Sequence, residues 1–274
     1  MKPFLILVAI ALLIFFYYSY SSNYIREGGT TMINNETSGN VTISIVYDNY
    51  EYDEKLKTGF GFSCLVKLED KNILFDTGND SPTLLNNVES LGIDTKEINY
   101  IFLSHIHWDH VGGLEGVLEK NSNVTVFIPR SFPNDLRDKI ESHGAKFVNI
   151  DIPTKIHNGV YSTGELGTLI REQSMIIKTE RGLIVITGCA HPGIVNIVKK
   201  AKELTNEEVY LVIGGFHLGG TSEGEIRNIV KSFRDLGVKK VAPCHCTGDR
   251  AIAMFKEEYK DNFIKAGVGK VIEM

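Results

Sequence analysis

The feature that most constrains this chain is the stretch of residues 103–114, LSHIHWDHVGGL. It begins where an apolar run, residues 100–103, predicts a buried strand. Within the six residues that follow Ser104, four side chains are of types that bind metal ions: His105, His107, Asp109 and His110.

The spacing within this stretch suggests two metal ions rather than one. His105 and His107 are two positions apart, so on an extended chain both side chains point the same way. Asp109 and His110 follow once the chain has begun to turn, so they can face a neighbouring point. The two glycines that come next are expected to let the backbone turn sharply below the site. We therefore predict a pair of metal ions a few ångströms apart.

The sequence HIHWDH at residues 105–110 resembles the HxHxDH motif of the metallo-β-lactamase fold superfamily. This resemblance implies an α/β (α+β) fold, an αββα sandwich of the metallo-β-lactamase type. It also implies one or two metal ions at one edge of the sandwich. The resemblance covers residues 41–274, which we predict to form one domain.

Three later motifs, GCAHPG, GGFHLGG and PCHCTG, each follow a predicted strand and supply further candidates. His191 and His245 are the predicted remaining metal ligands. In the simplest assignment His105, His107 and His191 hold one ion, whereas Asp109, His110 and His245 hold the other. An exchange of His191 and His245 between the two ions is left open.

Two departures from the superfamily pattern affect the ligand set. Many members have Thr-Gly-Asp with a bridging Asp, and Cys189 stands at that position here. The resemblance also implies a His from the preceding strand, and Glu172 occupies that neighbourhood instead. Cys189 and Glu172 are therefore alternative ligands. A protonated thiol at Cys189, and an acid-base or purely structural role for Glu172, are the competing interpretations.

Four more residues complete the predicted site. By resemblance, Asp76 orients a ligand histidine from outside the metal shell. Asp109 and His217 are the predicted catalytic residues, and His217 could contact substrate, donate a proton or bind metal. Thr247 and Gly248 begin a predicted helix, whose free N–H groups suit an anionic group of the substrate.

Taken together, the motifs resemble the branch named for 7,8-dihydropterin-6-methyl-4-(β-D-ribofuranosyl)aminobenzene-5'-phosphate synthase. This implies a metallo-hydrolase or a synthase-like transferase, with a dinuclear site that activates water and polarises a phosphorylated or ester-type small-molecule substrate. Zinc suits the nitrogen and oxygen ligands, with manganese or iron as alternatives. A second hypothesis is a membrane-tethered metal-binding or sensor protein without turnover. A third, a dinuclear-iron oxidoreductase, would need an electron-carrier domain that the chain lacks.

Composition narrows the range of partners. The chain has 274 residues with a net charge of −5, 43% hydrophobic and 23% charged residues, which is ordinary for a globular protein. It has no basic stripe and no interleaving of aromatic with basic residues, so we predict no nucleic-acid partner. The four cysteines are expected to be thiols, with Cys64 in the core.

The N-terminus differs in kind from the rest. Residues 4–18 are apolar throughout, and the next charge is Arg26. We predict a transmembrane signal-anchor at residues 1–22, a flexible linker at 23–40 and the domain at 41–274. The membrane would then be a partner, with the catalytic domain outside the cytoplasm. A cleaved signal peptide and a buried core helix are the alternatives.

Overall fold

The computed structural model describes residues 24–27, 30–33 and 36–274. Its first two strands pair with each other as an antiparallel hairpin, β1 (Tyr24–Glu27) and β2 (Thr30–Ile33). Both lie within the predicted linker. Near the end of that stretch the backbone N–H of Ser38 donates to the carbonyl of Lys178 at 2.9 Å. The boundaries predicted at residues 22 and 40 stay predictions.

Two mixed sheets form the centre of the molecule. The seven-stranded sheet has the order β15-β3-β4-β5-β6-β7-β8. Its strands are β3 (Thr42–Tyr47), β4 (Ser63–Lys67), β5 (Asn72–Phe75), β6 (Tyr100–Phe102), β7 (Thr125–Pro129), β8 (Lys146–Ile150) and β15 (Val271–Glu273). The six-stranded sheet has the order β14-β13-β12-β11-β10-β9. Its strands are β9 (Thr154–His157), β10 (Val160–Ser162), β11 (Met175–Thr179), β12 (Gly182–Thr187), β13 (Val209–Gly215) and β14 (Lys240–Cys244).

In the described residues, seven α-helices accompany the sheets. They are α1 (Ser81–Ser90), α2 (Trp108–Val111), α3 (Leu114–Lys120), α4 (Asn134–Ser142), α5 (Ile194–Thr205), α6 (Glu223–Asp235) and α7 (Asp249–Tyr259). Short 3-10 turns lie at Thr95–Glu97, His245–Thr247 and Lys260–Asn262. A capping box begins α6, because Ser222 and Glu225 exchange hydrogen bonds.

Alternation along the strands builds the layers. In β12, Ile184 and Ile186 join the core between the two sheets, while Leu183 and Val185 join the core that packs on α5, α6 and α7. A third core packs the outer face of the seven-stranded sheet on α1, α3 and α4. A strand with apolar residues at every position is therefore buried on both faces. The predicted αββα sandwich is confirmed.

The topology brings the polar motifs to one edge. Strands β5, β6 and β7 run parallel to one another, and so do β12, β13 and β14. Parallel neighbours end at the same edge of a sheet, so the loops that leave their carboxyl ends lie together. Every histidine-bearing motif of the sequence follows one of these strands.

The prediction of a membrane span, with the membrane partner and membrane-anchored location that depended on it, is corrected here. In the part of the chain that the structure describes, no helix is long and apolar enough to cross a bilayer. The longest, α6, has 13 residues, or about 20 Å, against a hydrocarbon core of about 30 Å. Residues 1–22, where the span was predicted, lie outside the described residues.

Candidate metal centre

The first group of donors combines two motifs from opposite sheets. His105 and His107 come from the loop after β6, and His191 comes from the turn after β12. The Nδ1 atom of His107 lies 3.2 Å from the Nε2 atom of His105 and 3.2 Å from that of His191. Tetrahedral zinc with nitrogen ligands at about 2.0–2.1 Å sets neighbouring ligand atoms about 3.3–3.4 Å apart. The three nitrogens therefore fit one ion.

The second group lies beside the first and is more deeply buried. The structure brings together Asp109, His110, Cys189 and His245. The Nε2 atom of His110 lies 3.2 Å from that of His245 and 3.2 Å from the Cys189 sulfur. The Oδ2 atom of Asp109 lies 3.2 Å from His245 Nε2 and 3.5 Å from His110 Nε2. These four donors also have the spacing of a single coordination shell.

Asp76 contacts the outer nitrogen of His110, as the prediction of an orienting role requires. Its Oδ2 lies 2.6 Å from His110 Nδ1 and also accepts from the Ser104 hydroxyl at 2.7 Å. The Ser104 backbone N–H donates to Oδ1 at 2.7 Å. Burial raises the pKa of Asp76, whereas these donors favour the carboxylate. With the carboxylate as acceptor, His110 carries its proton on Nδ1 and turns a lone pair inward.

Two further partners fix histidines in the same way. The Ser104 hydroxyl, which donates to Asp76, lies 2.9 Å from His105 Nδ1 and accepts from it. The amide oxygen of Asn49 lies 2.9 Å from His245 Nδ1, while the Asn49 amide nitrogen donates to the His245 carbonyl at 3.1 Å. His105 and His245 therefore also present bare Nε2 atoms to the site. Ser104 and Asn49 are functional candidates that the sequence prediction missed.

This arrangement passes a simple test for metal binding. Two bare nitrogens 3.2 Å apart repel each other unless a cation lies between them. Burial lowers the pKa of His105, and burial followed by neighbouring imidazoles lowers the pKa of His110 and His191 to about 4. These three rings are therefore neutral near neutral pH. Neutral imidazole, carboxylate and thiolate together are the donors that zinc prefers.

Without a metal ion, a proton would be the available cation. Burial alone lowers the pKa of His245, but the hydrogen bond with Asp109 leaves it raised. Burial alone raises the pKa of Asp109, and the same hydrogen bond leaves it lowered. The two side chains thus favour a proton between them, which a metal ion would displace.

Backbone strain is concentrated at this edge. Among the described residues, six non-glycine residues have positive φ, and four of them are Asp76 (53°), Ala190 (61°), His217 (54°) and His245 (49°). Such conformations cost about 1–3 kcal/mol each and persist where the surroundings enforce them. Asp76 and His217 lie against donor histidines, and His245 is itself a donor. Ala190 stands between Cys189 and His191 in the chain.

Glu172 does not reach the donors, although it was considered as an alternative ligand. Its fully buried carboxylate accepts five hydrogen bonds at 2.9–3.1 Å, from the Thr187 hydroxyl and from the backbone N–H groups of residues 188, 189, 190 and 191. Burial raises its pKa. Glu172 therefore shapes the turn that carries Cys189 and His191, and it is not part of either donor group.

Next to the second group, Cys246 and His217 lie near the sulfur of Cys189, which both sets of residues share. Cys189, His217 and Cys246 have donor atoms within 4.8 Å of one another. A hydrogen bond between the two thiols lowers the pKa of Cys246 and raises that of Cys189. The hydrogen bond with Cys246 also raises the pKa of His217, whose ring lies 4.4 Å from that of His191. All four cysteines are unpaired, and Cys64 and Cys244 lie in the core between the sheets.

The anion site at the start of α7 was predicted from backbone N–H groups and stays a prediction, and the Thr247 side chain does not add to it. The Thr247 hydroxyl donates to the Cys244 carbonyl at 2.6 Å and accepts from the Phe216 N–H at 3.0 Å, so it is used within the protein. Gly248 has a φ of 81°, and an added Cβ would lie 2.7 Å from Gly219. The pairing of these loops requires glycine there, whichever ligand binds.

The two glycines after the HxHxDH stretch are required for a different reason from the one predicted. Gly112 and Gly113 have φ of −66° and −87°, which any residue adopts. An added Cβ would instead lie 1.8 Å from the carbonyl oxygen of Asn79 and 2.2 Å from that of Thr77. The loops after β5 and β6 approach so closely that only glycine fits.

Two exposed aromatic rings border the second donor group, and the sequence prediction did not single them out. Phe60 is 51% exposed and Trp108 57% exposed, with ring centroids 6.1 Å apart. The Phe60 ring also lies 5.0 Å from the His245 ring. Trp108 stands inside the HxHxDH stretch, and Phe60 lies in the loop between β3 and β4.

Comparison with known proteins places this site in a family. Residues 56–198 match the model of the metallo-beta-lactamase superfamily. The 7,8-dihydropterin-6-methyl-4-(beta-D-ribofuranosyl)-aminobenzene-5'-phosphate synthase of Methanocaldococcus jannaschii is 32% identical, over 85% of this chain and 97% of its own. A metal-dependent hydrolase of the beta-lactamase superfamily has 31% identity and a TM-score of 0.72, over 85% of this chain and 99% of its own.

A more distant structure supports the fold alone. The metallo-beta-lactamase fold protein YhfI from Bacillus subtilis is 14% identical, with a TM-score of 0.65 over 86% of this chain and 99% of its own. Sequence and structure thus agree on one assignment, and the resemblance inferred from the motifs is confirmed. The chain belongs to the metallo-beta-lactamase superfamily.

Proposed function

We propose that this chain is a metal-dependent enzyme with a dinuclear site at the shared edge of its two sheets. His105, His107 and His191 would hold one divalent ion, and Asp109, His110 and His245 the other, with Cys189 as an additional donor. The observation that carries the proposal is the convergence of bare imidazole nitrogens, fixed from outside by Asp76, Ser104 and Asn49. Zinc suits this donor set best.

The chemistry that divalent ions supply in such a site is Lewis acidity toward a phosphoryl or carbonyl oxygen and activation of water near neutral pH. The protein's own groups handle protons and orientation. Asp109 uses Oδ2 toward the histidines, which leaves Oδ1 to accept a proton from the attacking group. His217 is exposed at the rim with a raised pKa, so a ring N–H can orient the substrate or protonate a leaving group.

The substrate class follows from the rim and from the relatives. The synthase relative is named for a product that joins a dihydropterin to a ribosylated aminobenzene phosphate. The exposed rings of Phe60 and Trp108 suit a flat aromatic group. We therefore favour transfer between an activated pterin and a phosphorylated aryl partner, with hydrolysis of a phosphorylated or ester-type substrate as the alternative that the hydrolase relative suggests.

The test is a paired assay on the metal-loaded full chain. One arm supplies a dihydropterin with a leaving group on its 6-methyl carbon and the aminobenzene riboside phosphate, and follows the condensation product by mass spectrometry. The other arm supplies activated phosphodiesters, esters and lactams. His107→Ala and His245→Ala should abolish whichever activity is found. His157→Ala is the matched control, because His157 pairs with Asp70 at 2.8 Å away from the site.

The alternative, a metal-binding or sensor protein without turnover, is less well supported by the structure than by the sequence. It rested on the missing strand histidine and the missing bridging Asp. The Nε2 atom of His191 lies 3.2 Å from His107 Nδ1, and the Cys189 sulfur lies 3.2 Å from His110 Nε2. These distances support His191 and Cys189 as the third and fourth donors. Bound metal with no turnover in either arm of the assay would restore this alternative and contradict the enzyme proposal.

A further inference from the structure

A third group of donors adjoins the dinuclear site, and one of its members, Cys246, has no part in the reaction proposed above. It consists of the sulfurs of Cys189 and Cys246 and a ring nitrogen of His217, all within 4.8 Å of one another. We propose that these residues form a third metal position, selective for a thiophilic divalent ion such as zinc. The inference goes beyond the dinuclear site, since Cys246 belongs to neither of its donor groups.

The backbone around Cys246 makes room for its sulfur. Cys246 follows His245 in the 3-10 turn after β14, and its Sγ lies 3.7 Å from the Cys189 carbonyl. A Cβ added to Gly215 would lie 2.6 Å from this sulfur and 2.5 Å from the Gly188 carbonyl. The last residue of β13 must therefore be glycine for the sulfur to occupy its place between the loops after β12 and β13.

His217 is held against the two sulfurs by a strained loop. Its φ of 54° is one that residues other than glycine rarely adopt. Phe216, the residue before it, is anchored through its N–H to the Thr247 hydroxyl at 3.0 Å. The loop after β13 is thereby tied to the turn that carries Cys246. Strain of this kind, next to a cluster of donors, indicates that the position of the ring is being enforced.

The fourth coordination position would be open. A cleft lined by His217, Gly219, Gly220, Thr221 and Cys246 lies beside the three donors. Structural zinc sites have four protein ligands, whereas sites with three, including Cys2His sets, leave the fourth to water or substrate. The third position would therefore face incoming substrate, and the remaining N–H of His217 would stay free to orient it.

Binding there involves proton release and no change of oxidation state. Each thiol that coordinates gives its proton to solvent, and the metal takes up the lone pairs of two sulfurs and one nitrogen. Cys189 also lies 3.2 Å from His110 Nε2, so its thiolate could bridge the third ion and the second. Borderline-soft ions prefer such thiolates to the carboxylates of the surface.

The test replaces bound metal in the full chain with cobalt(II) and measures two quantities. One is cobalt per chain by elemental mass spectrometry, and the other is the near-ultraviolet absorption of cobalt–thiolate bonds. Cys246→Ser and His217→Ala should each lose one equivalent of cobalt, and Cys246→Ser should also lose the part of the thiolate absorption that Cys246 supplies. Cys64→Ser, at a core cysteine outside all three groups, should change neither. His217 is exposed, so its variant is informative even if Cys246→Ser folds poorly.

The outcomes separate this inference from the proposed function. His107→Ala should lose cobalt from the dinuclear site and keep the thiolate absorption that depends on Cys246. Unchanged cobalt content and absorption in both Cys246→Ser and His217→Ala would overturn the third position, leaving the two thiols as a hydrogen-bonded pair. That result would leave the dinuclear site standing if His107→Ala still loses metal.

Discussion

The Nε2 atoms of His110 and His245 lie 3.2 Å apart, although 135 positions separate the two residues in the chain. His110 comes from α2 beside the seven-stranded sheet, and His245 follows β14 at the edge of the six-stranded sheet. Asp76 and Asn49 occupy their outer nitrogens. A repulsive pair of lone pairs is thus held together by both halves of the sandwich, and a bound cation would relieve the repulsion.

Asp76→Asn should weaken metal binding without removing a ligand. The substitution keeps the size of the side chain but removes the charge that holds the His110 proton on Nδ1. We expect metal affinity to fall about 10–100-fold, measured by competition with a chelator. Asp70→Asn is the control, because Asp70 pairs with a histidine outside the site. Unchanged affinity in a folded Asp76→Asn protein would remove Asp76 from the account.

Glu172→Gln should destabilise the turn that carries Cys189 and His191. The new amide NH2 must face at least one of the five groups that now donate hydrogen bonds to the carboxylate. We expect the free energy of unfolding to fall by about 1–3 kcal/mol, measured by urea denaturation, together with weaker metal binding. Glu203→Gln, at an exposed residue of α5, serves as the comparison. Normal stability combined with selective loss of metal would instead mark Glu172 as a ligand.

Trp108 offers a direct probe of substrate binding, because it is the only tryptophan of the chain. Titration with a pterin should quench its fluorescence if the aromatic rim receives the flat ring. Phe60→Ala should raise the Kd about 2–10-fold through loss of aromatic contact. Tyr52→Ala removes another exposed aromatic ring and should have no effect. Equal Kd values for wild type and Phe60→Ala would exclude the rim as the binding surface.

Tyr259 gives a prediction about stability at high pH. Its ring is buried, and within the described part of the chain its hydroxyl has no hydrogen-bond partner. Burial raises the pKa of Tyr259 from 10.0 to about 12. The folded state therefore keeps this proton longer than the unfolded state, so stability is full below pH 10 and is lost as pH rises from 10 to 12.

Tyr259→Phe should remove both the buried hydroxyl without a hydrogen-bond partner and its ionisation at high pH. Loss of the unpaired hydroxyl should raise the free energy of unfolding by about 1 kcal/mol near neutral pH, and the decline above pH 10 should become shallower. Urea denaturation at a series of pH values measures both. Tyr52→Phe is the matched variant at an exposed tyrosine. A wild-type slope in Tyr259→Phe would show that other groups cause the decline.

Local patterns predicted much of the fold. The strands at residues 72–76 and 182–187 and the helix at 194–204 are apolar in the right period, and the structure has β5, β12 and α5 there. The sequence of residues 169–178 favours one continuous strand, yet β11 begins only at Met175. Leu169 is 96% exposed and Glu172 turns inward, so an alternating pattern there reflected a loop at the site.

The site residues that share one motif were predictable from the sequence. The residues that long-range packing brings to the site were not. His105, His107 and His110 lie in one stretch, and the structure brings them together. Asn49 reaches His245 across 196 positions, and no local pattern records that contact. The start of α1 shows the same limit. A Ser-Pro pair such as residues 81–82 is typical of a helix cap followed by the first helical residue, yet Asp80 caps α1 and accepts from Tyr47, while Ser81 accepts from Gly116 of α3.

The most direct test of the dinuclear site is the metal content of the full chain, measured by elemental mass spectrometry after purification with metal supplied. We predict at least two ions per chain, with fewer in His107→Ala and fewer in His245→Ala, each of which removes a donor from a different group. His157→Ala should match wild type. A folded wild-type protein that holds no metal would contradict the account.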